Sequence, residues 1–215
     1  MLNLLFESPL AFLITIVSLL LAISIHELAH AFAADRLGDP TPRIQGRLTI
    51  NPLVHLDLLG TALLVFVGFG WGKPVLFDPY NLTNPRRDSA IISFAGPLSN
   101  LILAGISALL FNLGLFQNIE SILVYEVLLR FIYLNVLLAV FNLIPVHPLD
   151  GGKIFIGLLP ENLANEWDKI LNQYGMFILI LLILPLFGGA SLASKIISPT
   201  IQLIINLLLP HLGYI

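Results

Sequence analysis

The 215-residue chain contains no cysteine, so disulfides and thiolate metal sites are both excluded. Any metal ion would have to be held by histidine and carboxylate groups. Charged side chains are also scarce, at 11% of residues, whereas soluble domains carry roughly a quarter. The formal net charge of -3 includes no basic run, which argues against a nucleic-acid partner.

Hydrophobic residues, in contrast, make up 57% of the chain, and the mean hydropathy is +0.94. This composition indicates an all-α, polytopic membrane protein. The N-terminus lacks the positively charged region of a signal peptide and carries Glu7 instead. The first apolar segment is therefore expected to be retained.

A spanning helix needs about 20 predominantly apolar residues. The runs that meet this requirement are residues 10–34, 89–113 and 125–144. They predict a three-helix core within residues 1–160. The run at 58–69 is too short to span, so the loop region at about 35–88 is predicted to contain a re-entrant segment.

The remainder, residues 161–215, is predicted to supply one or two C-terminal membrane helices. An acidic loop is expected around Glu161, Glu166 and Asp168, followed by an apolar run at 176–187. The last stretch, 196–209, is amphipathic and could span weakly or lie in the membrane interface.

Basic residues are placed so that both flanks of the short run lie on one side of the membrane. Three arginines precede the run and three basic residues follow it: Arg36, Arg43, Arg47, Lys73, Arg86 and Arg87. Because cytoplasmic loops are enriched in lysine and arginine, this side is predicted to be cytoplasmic. The first and third core helices then both end at the cytoplasmic surface.

The segment "SIHELAHAFA" (24–33) carries two histidines and a carboxylate within the first predicted span. On a helix, His26 and His30 lie one turn apart on one face, where both imidazoles can reach one metal ion. Glu27 points to the neighbouring sector, where it can accept a proton from water as a general base. A chance match is disfavoured, since an unpaired carboxylate inside a membrane is costly.

A catalytic zinc site normally has three protein ligands, so two histidines need a third partner. Asp150 in "FNLIPVHPLDGG" (141–152) is the best candidate, because it follows the cytoplasmic end of the third core helix. The alternative is an Asp-Gly turn after a helix, and it loses weight when both motifs are considered together.

With these motifs the chain resembles the site-2 protease family of intramembrane zinc metalloproteases, in its compact subgroup without a PDZ domain. The resemblance covers roughly residues 10–160 in family order and also includes "AGPLSN" (95–100), "GRLTINPLVHLDLLG" and "GFGWGKPV". It implies one zinc ion per chain, held by His26, His30 and Asp150. It also implies that Glu27 activates the attacking water.

Two asparagines are further candidates. The family has an asparagine at the position of Asn142, where the amide could hold the substrate backbone or the oxyanion. The alternative is a helix-end amide that satisfies free carbonyls. Asn100 could line the same cavity and contact substrate, or it could form an interhelical hydrogen bond.

Two histidines stay uncertain. His147 could support a ligand, close the site as an extra ligand, or be an ordinary loop residue, which is the favoured interpretation. His55 matches a family pattern of unclear role. In "GFGWGKPV", Gly70 and Trp71 could belong to an extended strand that pairs with unwound substrate, or to a turn that anchors the re-entrant segment.

The predicted function is hydrolysis of peptide bonds within or next to transmembrane segments, as in regulated intramembrane proteolysis. The expected setting is the cell membrane, with the active site toward the cytoplasm, and the expected partners are a transmembrane protein substrate, the lipid bilayer and a regulatory membrane protein. A catalytically silent pseudoprotease that binds membrane helices is an alternative, against which the intact Glu27 argues. A metal transporter would need ligands spread along a path rather than collected at one depth.

Overall fold

The computed structural model describes residues 2–67, 70–114, 122–185 and 191–210. Within these ranges the secondary structure is helical and contains no named strand, which confirms the all-α prediction. The helices are α1 (Leu2–Glu7), α2 (Pro9–Arg36), α3 (Thr41–Ile44), α4 (Pro52–His55), α5 (Leu58–Val67), α6 (Pro85–Asn112), α7 (Ile122–Asn142), α8 (Asp150–Leu158), α9 (Glu161–Ile183) and α10 (Leu192–Leu208). A short 3-10 turn covers Pro79–Asn81.

Three of these helices are long and apolar enough to cross a membrane, namely α2, α6 and α7. The chain is therefore a multi-pass membrane protein, as predicted. Helix α2 begins after Ser8, whose side chain accepts a hydrogen bond from the Ala11 amide, and it has proline at its first position. It ends before Gly38, which has a φ of +105°, a conformation that favours glycine.

Helices α2, α6 and α7 pack against one another, and α6 also packs against α8. Small residues on α6 allow this close packing, as is common between membrane helices. A buried apolar cluster joins α6, α7 and α10, and its members are Ala104, Ala108, Ile132, Val136, Val140, Ile197, Ile201 and Leu209.

The short apolar run forms α5, whose 10 residues measure about 15 Å and so cannot cross a bilayer core of about 30 Å. Residues 70–78 then return as largely irregular backbone. Of the two alternatives for this segment, an extended strand or an anchoring turn, strand pairing is limited to a single antiparallel bridge between Leu56 and Gly72. A side chain at Gly70 would clash with the Gly60 carbonyl oxygen, so this glycine permits direct contact with α5.

The acidic loop predicted after residue 160 is wrong, because α9 is continuous from Glu161 to Ile183. Its buried residues form one stripe, which consists of Ala164, Leu171, Gly175 and Leu179. Glu166 lies on the exposed side, as in an ordinary amphipathic helix. The predicted run at 176–187 is thus the second half of α9, and residues 186–187 lie outside the described ranges. Helix α10 has 17 residues and is shorter than the three spans.

Candidate metal centre

Three side chains that can bind a metal converge where α2 meets the start of α8. Asp150 Oδ2 lies 3.1 Å from His26 Nε2 and 3.2 Å from His30 Nε2. One ligand atom from each residue lies within 4.8 Å of the other two. Both histidines are buried, and the Asp150 side chain is only 18% exposed. Burial raises the pKa of Asp150, but His30 and His26 outweigh this effect and hold its pKa below the usual value.

The local helix geometry explains how the two imidazoles share one ion. His26 and His30 are one turn apart on α2, and their ring centroids are 4.6 Å apart with perpendicular planes. Gly96 on α6 faces both rings, and a Cβ there would clash with His30 and lie 2.7 Å from His26 Cε1. The absence of a side chain at Gly96 therefore leaves the space that the two rings occupy.

The other nitrogen of each ring is bonded to an oxygen. His26 Nδ1 lies 2.6 Å from Asn100 Oδ1, and His30 Nδ1 lies 2.7 Å from the Ile92 carbonyl oxygen. Because both partners accept, each Nδ1 carries a hydrogen, and each Nε2, which faces Asp150, is the nitrogen available to bind a metal. Metal-binding histidines are typically oriented this way, and a His–His–carboxylate set suits zinc with one open position. The residues present therefore fit a zinc ion.

Glu27 lies beside these three residues, on the same helix as His26 and His30. Its Oε2 accepts a hydrogen bond of 3.0 Å from the Val75 amide, so Oε1 is the oxygen left for proton transfer. The backbone that carries this amide is held in place by Arg47, which is buried and donates to the carbonyls of Lys73 (3.0 Å), Pro74 (2.7 Å) and Val54. The segment that follows α5 thus crosses the site next to the candidate base.

For both asparagines, the structure shows the hydrogen-bonded alternative. Asn100 is fully buried and forms interhelical bonds to His26 and to the Ala22 carbonyl oxygen. Asn142 donates to the Leu138 carbonyl oxygen of its own helix, at 2.9 Å. Substrate contact by either residue stays a prediction.

The uncertain histidines lie outside the group of three. His55 is fully buried, and its Nε2 lies 2.8 Å from the Thr49 carbonyl oxygen, so it holds the loop before α5. The His147 ring fills the space that a side chain at Gly152 would occupy. Burial lowers the pKa of His147, although the Asp168 carboxylate opposes this effect. Neither the structure nor the sequence assigns His147 a catalytic role.

Gly70 and Trp71 pack against α5 instead of forming a strand. The Trp71 carbonyl oxygen and ring lie against Gly60, where a Cβ would clash with them. This contact matches the alternative of a turn that anchors the re-entrant segment. Trp71 is 44% exposed, so part of the ring can still meet other molecules.

Sequence reasoning missed several residues that support the site. Gly96 was recognised only as a glycine of "AGPLSN" that permits close helix packing, and Arg47 only as a positive charge and as part of "GRLTINPLVHLDLLG". Asn135 was missed altogether, although it is the only amide side chain in the run "FIYLNVLLAVF" (131–141). Such an amide is costly in a membrane without a partner, and that cost was the available signal.

Comparison with known proteins gives an independent line of evidence. The model of the family described as "Peptidase family M50" matches residues 116–182, which include Asp150. The Bacillus subtilis (strain 168) protein named "Putative zinc metalloprotease YwhC" is 38% identical over 177 residues, which cover 80% of this chain and 80% of that protein.

Two more distant relatives have similar names. "Putative zinc metalloprotease Rip2" of Mycolicibacterium smegmatis is 31% identical over 80% of this chain and 67% of its own length. "Zinc metalloprotease MJ0392" of Methanocaldococcus jannaschii is 26% identical over 84% of this chain and 49% of its own length. No solved structure matches the chain.

Proposed function

Because the chain belongs to peptidase family M50 and is a zinc metalloprotease, we propose that it cleaves peptide bonds within or next to transmembrane segments of other membrane proteins. One observation carries this proposal. The cluster of His26, His30 and Asp150 lies among α2, α6 and α8, and two of these helices are membrane spans. A protease that acts on soluble proteins would have no reason to bury its metal ligands among spanning helices.

We assign His26, His30 and Asp150 to zinc binding and Glu27 to proton transfer. When bound, zinc supplies a Lewis acid that polarises the scissile carbonyl and lowers the pKa of water to about 7. Glu27 accepts the water proton at Oε1 while Val75 holds Oε2, and it then passes the proton to the leaving amine. Water adds to the peptide carbon, the C–N bond breaks, and a carboxylate and an amine are released.

Of the other predicted residues, Asn142, Gly70 and Trp71 act on substrate in this proposal. Asn142 is close in sequence to Asp150 and could turn its amide from Leu138 toward the oxyanion. Gly70 and Trp71 would contact the unwound substrate at the exposed part of the Trp71 ring. Asn100 we assign to holding His26, because its amide is already engaged there.

The basic residues that flank α5 support an orientation with the site toward the cytoplasm of the cell membrane. The chain would then act in regulated intramembrane proteolysis, and a further membrane protein would restrain it. The partners in this proposal are the bilayer, the transmembrane substrate and that regulator.

The test is cleavage of a tagged model transmembrane protein by the purified chain in liposomes, with bound zinc quantified. Glu27→Gln keeps the size of the side chain but removes the base, so we expect cleavage to fall by about 10²- to 10⁴-fold while zinc stays bound. Full cleavage by this variant would contradict the role of Glu27.

Two controls separate the remaining claims. Loss of His26, His30 and Asp150 together should abolish zinc binding, and zinc that persists would contradict the ligand assignment. Mass spectrometry of the products should place the cut within or beside the membrane segment. Cuts found only in soluble portions of the substrate would contradict the intramembrane activity while leaving the metalloprotease intact.

A further inference from the structure

Asn135 lies on α7, away from the metal cluster, yet a chain of hydrogen bonds connects it to a ligand. We propose that Asn135 is a positioning residue that acts through Asn100 to hold His26 in the tautomer and orientation required for metal binding. The inference rests on the proposed zinc site and adds a residue that no ligand or catalytic motif contains.

The connection consists of consecutive short hydrogen bonds. Asn135 Nδ2 donates to the Phe131 carbonyl oxygen at 2.8 Å, and Asn135 Oδ1 accepts from Asn100 Nδ2 at 2.9 Å. Asn100 Oδ1 then lies 2.6 Å from His26 Nδ1. Asn135 and Asn100 are both fully buried, so water does not replace these bonds.

The donor and acceptor in each of these hydrogen bonds follow from the Phe131 carbonyl at one end. A backbone carbonyl can only accept, so Phe131 requires the Asn135 amide nitrogen to point toward it. The Asn135 oxygen therefore faces Asn100 and requires a donor there. Asn100 must then present its own oxygen to His26, which places the hydrogen on Nδ1 and leaves Nε2 free for the metal.

A second carbonyl supports the same orientation of Asn100, but less closely. Ala22 lies on α2, and its oxygen is 3.2 Å from Asn100 Nδ2, against 2.9 Å for Asn135. If Asn135 lost its acceptor, one N–H of the Asn100 amide would be buried without a partner. Rotation of the Asn100 amide toward another acceptor would then lower its free energy, but it would move the oxygen away from the position that holds His26.

A role limited to joining α6 and α7 makes a different prediction. In that case, loss of Asn135 would lower the stability of the protein but leave its metal affinity and metal geometry unchanged. Partners behind a ligating histidine, in contrast, typically alter metal affinity by about 10- to 100-fold when they are removed. Metal affinity therefore separates the two roles.

The experiment measures zinc affinity by competition with a chelator, and the absorption spectrum of the cobalt-substituted protein, for Asn135→Leu, Asn135→Ser and Asn135→Asp. Leucine has similar size but no acceptor. Serine can bond to the Phe131 carbonyl but is too short to reach Asn100. We expect both to lose about 10- to 100-fold in affinity and to change the cobalt spectrum. Aspartate in its protonated form donates to the Phe131 carbonyl and accepts from Asn100, so it should restore affinity to within a few-fold.

Two comparisons make the result specific. In a double-mutant cycle, Asn135→Leu should add little once Asn100→Ala is present, because both act on His26 through the same bond. Val136→Ala, one residue away in the apolar cluster, should leave metal affinity unchanged. Wild-type affinity and spectrum in both Asn135→Leu and Asn135→Ser would overturn the proposal, as would full additivity with Asn100→Ala.

These outcomes are distinct from failure of the zinc site itself. If His26→Ala retained wild-type zinc affinity, the proposed ligand set would be wrong whatever Asn135 does. Should Asn135→Leu fail to fold, Asn135→Ser carries the test, since serine keeps a hydrogen bond to the Phe131 carbonyl within α7.

Discussion

Helix α7 has two buried faces that are stabilised in different ways. Asn135 faces α6, where it forms specific hydrogen bonds with a defined donor and acceptor at each step. Ile132, Val136 and Val140 face the apolar cluster that joins α7 to both α6 and α10, where contacts are non-directional. The apolar face of α7 can therefore tolerate a change in side-chain shape, whereas the face with Asn135 tolerates almost none. The reason is that a buried polar group without a partner costs more free energy than a missing methyl group.

The largest effect is expected when a side chain is added on α6, opposite the two imidazole rings. Gly96→Ala places a methyl group against His30 and His26, so the rings must move from their positions around the metal. We expect zinc affinity to fall by more than about 100-fold, beyond the usual loss for an outer partner. Chelator competition on the purified variant measures this.

Helix α6 offers a matched control for that substitution. Gly105 lies on the same helix, and a Cβ there would meet nothing within 4 Å. Gly105→Ala should therefore leave zinc affinity and cleavage unchanged. If both alanine variants lost zinc to the same extent, the loss would reflect a general disturbance of α6 and not the space beside the histidines.

A buried carboxylate outside the three spans, Asp39, is also held by hydrogen bonds, and its ionisation makes their contribution to stability depend on pH. Asp39 is fully buried and accepts hydrogen bonds from the Asp78 amide (2.7 Å), from Asn81 (2.8 Å) and from the side chain of Thr41 (2.6 Å). Burial raises the pKa of Asp39, but these hydrogen bonds outweigh it and hold its pKa below the usual 3.8. The bonds tie the segment before α6 to the end of α2.

Because the pKa of Asp39 is lowered on folding, its ionised form stabilises the protein above about pH 4, and this contribution is lost as the pH falls below that value. We expect Asp39→Asn to lower the free energy of unfolding by about 2 kcal/mol at pH 7. The Tm in detergent should fall by about 4–8 °C. The difference from the wild type should shrink below pH 4; a constant difference at all pH values would show that ionisation of Asp39 is not its source.

The smallest effect is expected on the apolar face of α7. Ile132→Val removes one buried methylene from the cluster with α10, so it should cost about 0.5–1.5 kcal/mol of stability. Zinc affinity should not change, since no hydrogen bond is touched. A loss of zinc comparable to that of Asn135→Leu would show that the two faces are coupled and would remove the contrast between them.

Much of the fold could be predicted because the signals were local. Runs of about 20 apolar residues identified the three spans, and the spacing of His26 and His30 on a helix needed no tertiary information. Asp150 required one further step, the use of basic residues to place two helix ends on the same side. The structure brings these three residues together.

The features that could not be predicted depend on contacts between segments that are distant in sequence. The Val75 amide that bonds to Glu27 is a backbone group in an irregular segment, so no residue type signals it. The start of α9 was taken for a loop because its charges were considered without the buried stripe that begins at Ala164. Asn135 was detectable in principle, but its partner Asn100 is 35 positions away and on another helix.

The position of His30 along α2 sets the distance of the proposed reaction from each end of that helix. His30 is six residues before the end of the helix at Arg36, a distance of about 9 Å at 1.5 Å per residue. The opposite end, at Pro9, is 21 residues away, or about 32 Å. If a transmembrane substrate inserts alongside α2, as proposed, the metal site would meet it within about two turns of the Arg36 end, and the longer part of the substrate helix would lie beyond reach of the cut.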